Sequence, residues 1–154
     1  MASARYPSQA LEARMVLDDD TERVIALCFK VHKALGAGFL EKVYENALML
    51  ELVREGTAAR QQVPISVKYK GIIVGEYFAD ILVNERVVCE LKAGQFLSPD
   101  HEVQLVNYLA ATGLDVGLLV HFGRSVTIKR KFREFRPSTN ASGSNPVNPV
   151  NPVY

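Results

Sequence analysis

A chain of 154 residues that is 48% apolar and 23% charged can bury one hydrophobic core and is too short for two ordinary domains. Nothing in it approaches the roughly 18 consecutive apolar residues of a membrane span, and residues 1–20 lack a basic start followed by an apolar stretch. A soluble, cytoplasmic protein without a membrane partner is therefore expected. The net charge of +1 excludes neither nucleic acid nor any other partner, because a compact enzyme can confine its positive potential to one face. Cys28 and Cys89 fall in a predicted helix and a predicted strand, where a free thiol behaves as a small buried hydrophobe, which argues against a disulfide or a zinc site.

Residues 1–17 show no sustained periodicity and read as a flexible N-terminal arm. Asp18, Asp19, Asp20, Thr21 and Glu22 supply an N-cap and first-turn acids, after which Val24, Ile25, Leu27, Cys28, Val31 and Leu35 recur at helical spacing. The first helix is expected over about 20–35, broken by Gly36-Ala37-Gly38. A second periodic stretch from Leu40 to Arg54 carries Val43, Ala47, Leu48 and Leu52 and stops at Gly56. From Gln62 to Lys92, β-branched and aromatic residues divided by Lys70-Gly71 and Asn84-Glu85 predict a three-stranded meander near 62–69, 72–83 and 86–92. Ser98-Pro99-Asp100 starts a third helix that runs to about Ala111 before Gly113. Val116 to Phe122 is a strand covered on both faces, and Ser125 to Lys131 alternates as an edge strand. The order ααβββαββ makes an α/β domain over 18–136, with a central mixed sheet flanked by helices. Residues 137–154 end in repeated Asn-Pro-Val triplets that cannot form a helix or a central strand, and read as a disordered, extended tail, with a peptide-docking adaptor as the minor alternative.

The chemistry is concentrated in the meander. Asp80 lies in Tyr77-Phe78-Ala79-Asp80-Ile81-Leu82-Val83, and Glu90 and Lys92 lie in Val87-Val88-Cys89-Glu90-Leu91-Lys92. Charged groups in apolar runs are costly unless they pair or bind a metal. Strand alternation puts Glu90 and Lys92 on one face. A two-residue turn at Asn84-Glu85 would set Asp80 against Cys89, whereas a three-residue loop, Asn84 to Arg86, or a bulge sets it against Glu90. Convergence of the carboxylates requires the loop or the bulge. Asp80, Glu90 and the Leu91 backbone carbonyl would then offer hard oxygen ligands to Mg²⁺ or Mn²⁺, and Lys92 could orient or deprotonate a water for phosphodiester hydrolysis. A surface hairpin with Glu90 paired to Lys92 is the plain alternative.

On the Ser98-capped helix Gln104 and Tyr108 share a face, with His101 one turn earlier, and could hold the water or a phosphate. Glu41 shares a face with Tyr44 and is either a third acid near the ion or an ordinary first-turn helix acid. Arg124, Lys129, Arg130, Lys131, Arg133 and Arg136 fall within 13 residues that hold one acid, Glu134. They are either a phosphate-contacting strip or the solvated last strand and its exit.

Gly38-Phe39-Leu40-Glu41-Lys42-Val43-Tyr44 resembles the pattern that names the GxxExxY proteins, a bacterial and archaeal group assigned to the PD-(D/E)XK nuclease superfamily. The likeness continues through Gln62-Val63-Pro64, Tyr69-Lys70-Gly71, Gly75 with Asp80, Glu90-Leu91-Lys92-Ala93, Gln104 to Leu109 and Gly117 to Gly123, covering roughly residues 20 to 132. It implies a restriction-endonuclease-like core in which Asp80 and Glu90 bind the ion and Lys92 assists the water. It further implies that Glu41 is an auxiliary ligand or water positioner and that Gln104 and Tyr108 belong to the helix motif of RecB-like branches. Ala79 stands where the superfamily name has Pro. The function expected is a Mg²⁺- or Mn²⁺-dependent nuclease acting on DNA in preference to RNA. A homodimer is expected if both strands are cut, because one small site serves one strand. The rival is a catalytically silent module that binds nucleic acid or protein on the same fold.

Overall fold

The computed structural model describes residues 8–133. Its elements are α1 (Gln9–Leu35), α2 (Glu41–Arg54), β1 (Ala59–Tyr69), β2 (Ile72–Val83), β3 (Val87–Ala93), α3 (Pro99–Thr112), β4 (Val116–Phe122) and β5 (Val126–Phe132). One sheet runs in the order β1-β2-β3-β4-β5. β3 and β4 are parallel and joined through α3, while the other neighbours are antiparallel. This mixed sheet flanked by helices is the α/β architecture expected.

α1 begins at Gln9, so residues 9–17 are helical where a loose arm is expected. Asp18 and Asp20 therefore lie inside the helix and act as tertiary partners. Asp20 is buried and accepts from Asn84 Nδ2 at 2.7 Å and Arg86 Nε at 2.9 Å, tying the β2–β3 turn to α1. Asp18 pairs with Arg130 at 3.0 Å. The tail expected over 137–154 lies outside the described residues.

Apolar residues divide between the two faces of the sheet. Ile81, Val83, Val87, Cys89, Leu91 and Val120 pack with α1 and α2, while Leu82, Val88 and Leu119 pack with Leu105, Tyr108 and Leu109 of α3. Gly117 lets α3 approach closely, since a Cβ there would lie 2.7 Å from Leu105 Cδ1. Ser98 caps α3 by accepting from Asp100 N, and Gly113 ends it in the left-handed region at φ 75°.

Apart from a register shift between Val67 and Lys68 in the β1–β2 hairpin, the sheet is irregular where β2 meets β3. β2 pairs with β3 only at Val83↔Val87, Leu82↔Val88 and Ile81↔Cys89. Asn84 and Glu85 take positive φ in the turn, and this register is that of the three-residue loop Asn84 to Arg86. Beyond Ile81 the β1–β2 hairpin continues without β3 and turns over. Ala59 and Ile81 face α1 and α2, but Val63 and Ala79 face α3. An unbroken alternation would keep all four odd-numbered residues on one face. The break falls at Gln62, a non-glycine residue at φ 50°, opposite Asp80.

Tyr44 is fully buried, stacks on Phe122 at 4.4 Å, donates to the Gly36 carbonyl at 2.7 Å and accepts from Phe39 N at 3.3 Å. It secures the glycine break between α1 and α2. Tyr44→Phe strands a carbonyl and an amide, so urea unfolding should show a loss of about 1–3 kcal/mol. An unchanged midpoint would contradict this role.

Candidate active site

The site lies where β2 leaves β3. The Leu91 amide, having lost its strand partner, donates to Asp80 Oδ2 at 2.7 Å. Gln62 Nε2 donates to Asp80 Oδ1 at 3.3 Å and to Glu45 Oε1 at 3.0 Å. Gln61 Nε2 also reaches Glu45 Oε1, at 3.0 Å. Consecutive strand residues ordinarily point to opposite faces, and the positive φ of Gln62 is what brings both amides to one carboxylate.

Glu90 is 3% exposed and on the α3 side of β3. Its Oε1 accepts from Lys92 Nζ at 3.0 Å, while Oε2 is buried without a partner. Burial, with the nearby Asp80 charge second, pushes the Glu90 carboxyl up to about 7. Burial also raises Asp80, against the Leu91 amide that favours its charged form. Burial lowers Lys92, but Glu90, Glu41 and Asp80 outweigh it and leave the ammonium raised. The Glu41 carboxyl is raised by burial, opposed by Lys92 and the Ala93 amide, so it faces the end of β3. Gln104 Nε2 donates to Tyr108 Oη at 2.6 Å. Burial, then Glu90, pushes that phenol up to about 12. His101 Nδ1 is buried and unpartnered, and burial and Lys92 lower the imidazole's pKa.

Asp80, Glu90, Lys92 and Glu41 thus act on one another electrostatically, and Tyr108, carrying Gln104, responds to Glu90 and Asp80. Sequence reasoning passed over two neighbours. Glu45, 2% exposed, is held by Lys42, Gln61 and Gln62; its spacing of four from Glu41 was the available signal. The bent backbone of Gln62 has no local signature.

Among the described residues no three carboxylate, imidazole or thiol groups form a ready-made cation cage. Mg²⁺ does not need one, since it is held by one or two carboxylates and keeps several waters. The unpartnered Glu90 Oε2 beside the Asp80 carboxylate is a hard oxygen donor set that fits such an ion.

The basic strip resolves differently from its composition. Lys129 and Lys131 pair with Glu102, Arg130 with Asp18 and Arg133 with Asp115. Arg136 lies outside the described residues.

A family model for the PD-(D/E)XK nuclease superfamily matches residues 18–135. Among solved structures the chain is similar to SSO0001, with 18% identity and a TM-score of 0.48, over 64% of this chain and 52% of that one. It is also similar to an alkaline exonuclease from Laribacter hongkongensis, with 14% identity and a TM-score of 0.47, over 60% and 56%. The chain spans little more than half the length of these two structures. No curated protein sequence matches it.

Glu90→Gln removes a buried charge whose second oxygen is unsatisfied, and leaves Lys92 half-buried with Glu41 still near. Because the Glu90 carboxyl is raised from the ordinary carboxylate range to about 7, the metal-free parent should lose stability as pH rises from about 5 to about 8, and the variant should lose about 1–3 kcal/mol less over the same range. Thermal unfolding in EDTA at the two pH values measures this, and an equal loss in both proteins would contradict it.

Proposed function

Because the chain belongs to the PD-(D/E)XK nuclease superfamily, we propose that Asp80, Glu90 and Lys92 form the centre of a divalent-metal-dependent phosphodiester hydrolase acting on DNA before RNA. The observation that carries this reading is the buried, unpartnered Glu90 Oε2, placed beside a second carboxylate and an ammonium. Keeping such a group is costly unless something binds there.

Asp80 and Glu90 would hold the ion. An extended residue turns its N–H and C=O toward the same neighbouring strand. The Leu91 carbonyl therefore looks the same way as the amide that Asp80 accepts, and is proposed as a third oxygen ligand. Mg²⁺ or Mn²⁺ suits this all-oxygen set. Such an ion, when bound, lowers the pKa of water and offsets charge that develops on the phosphate.

Lys92 shares its ammonium with Glu90 at 3.0 Å in the metal-free state. Once released, it would orient the attacking water and steady the extra negative charge on the phosphate oxygens. Glu41 would position water at the end of β3 or act as an auxiliary ligand. Gln104, with its amide directed by Tyr108 Oη, would hold a phosphate oxygen or the water from the α3 side. Cutting both strands would call for two copies of the chain.

The rival, a silent binding module, draws on the closed Glu90–Lys92 pair, which could persist as a plain ion pair. The two readings separate on cleavage of linear, circular, branched and single-stranded substrates with Mg²⁺ or Mn²⁺. Activity should vanish in EDTA and fall roughly 10²–10³-fold in Asp80→Ala and Lys92→Ala. Activity that survives in Lys92→Ala, or no cleavage of any substrate, would refute the hydrolase reading.

A further inference from the structure

Beside the proposed site lies a groove of about 820 Å³, at the ends of β3 and β4, whose lining includes Gly38, Gly94, Phe96, His121, Gly123 and Arg124. We propose that it is a nucleotide subsite for an unpaired strand, in which the Phe96 ring stacks on a base and the Arg124 guanidinium takes a phosphate. This rests on the nuclease reading and names the form of nucleic acid that the centre would receive.

Three observations converge on the groove. Its volume is in the range that holds a ligand-sized group, and no Asp or Glu lines it. Of the bases from Arg124 to Arg133, four are spent on Glu102, Asp18 and Asp115. Arg124 is exposed, has no acidic partner among the described residues, and stands on the groove wall. Phe96, on the loop after β3, is 85% exposed and lines the same groove. A solitary exposed ring is ordinary on a protein surface, but a ring and a guanidinium without an acidic partner lining one acid-free groove match the two chemistries of a nucleotide, a flat base and an anion.

The groove is also held in shape. His121 Nε2 is 2.9 Å from the Gly94 carbonyl, and His32 Nε2 is 2.9 Å from the Gly123 carbonyl. Gly94, at φ 122°, lines the groove without a side chain. A Cβ on Gly123 would come within 2.9 Å of His121 Cε1. Gly94 closely follows Lys92, Gly38 closely precedes Glu41, and His121 is the register partner of Lys92. A strand seated in the groove would therefore lead its next phosphate toward the carboxylates. A base inside a duplex has both faces covered by its neighbours, so Phe96 selects one with a free face, in a single strand or a frayed end.

Fluorescence anisotropy of the full chain in EDTA, with a labelled single-stranded oligodeoxynucleotide and a blunt hairpin of the same length, tests the subsite. The single strand should bind about 10-fold more tightly than the hairpin. Phe96→Ala should cost about 10-fold with an unchanged salt slope, and Phe96→Trp should restore the affinity. Arg124→Ala should reduce the slope of log affinity against log salt by about 0.7. Variants that bind both probes as the parent does, or a parent that prefers the hairpin, would overturn the subsite. So would dissociation of a dimer by Phe96→Ala in sedimentation velocity with oligonucleotide affinity unchanged, which would assign the groove to a second copy. Cleavage lost in Asp80→Ala but untouched by both groove variants would leave the nuclease reading standing and remove the subsite. Variant-sensitive binding without cleavage by the parent would do the reverse.

Discussion

One hydrogen bond governs this structure: Asp80 Oδ2 accepts from the Leu91 amide at 2.7 Å, standing in for the strand that β3 loses when β2 turns away. A buried amide left without an acceptor costs about 1–3 kcal/mol, so the divergence of the strands and the carboxylate at that position depend on each other. The turning over of the β1–β2 hairpin at Gln62 and Asp80 follows from the same place. It opens the sheet on the α3 side of β3, where Glu90 and Lys92 lie. A regular sheet would have filled that opening with a further pair of ladder residues.

Burial sets the electrostatics of the opening. Glu41, Asp80 and Glu90 all have raised pKa values with burial as the first cause, and their mutual repulsion adds to it. Lys92 is the cation that holds them together. Such a cluster detracts from the stability of the metal-free chain, and the fold tolerates it through the packed layers on either face, Tyr44 on Phe122 among them. Sites that bind or react commonly carry such local conflict, while the rest of the fold is locally consistent.

Much of this was legible in the sequence. The Ser98-Pro99 start, the glycine stops and the alternation of β3 located α2, α3 and the strands closely, because each signal is local. The three-residue connection between β2 and β3 followed from requiring two acids to converge, and the register agrees. Long-range relations were hidden. Met15 and Val16 are exposed, so the early part of α1 has no apolar stripe there to betray a helix. Asp18 and Asp20 look like a helix start until Arg130, Asn84 and Arg86 arrive from distant elements. The bases from Lys129 to Arg133 look like a phosphate strip until Glu102 and Asp115 neutralise three of them. Gln62 adopts its positive φ for a tertiary reason that no local spacing encodes.

Titration calorimetry of Mn²⁺ into the metal-free chain and into Asp80→Asn bears most directly on whether the opening at Leu91 holds a cation. Asn keeps an oxygen for the Leu91 amide, so it separates loss of the charge from loss of the fold. A saturable site in the parent that is absent from the variant, with thermal midpoints close together, is the predicted result. Equal, weak binding to both would show that the carboxylates serve the sheet alone.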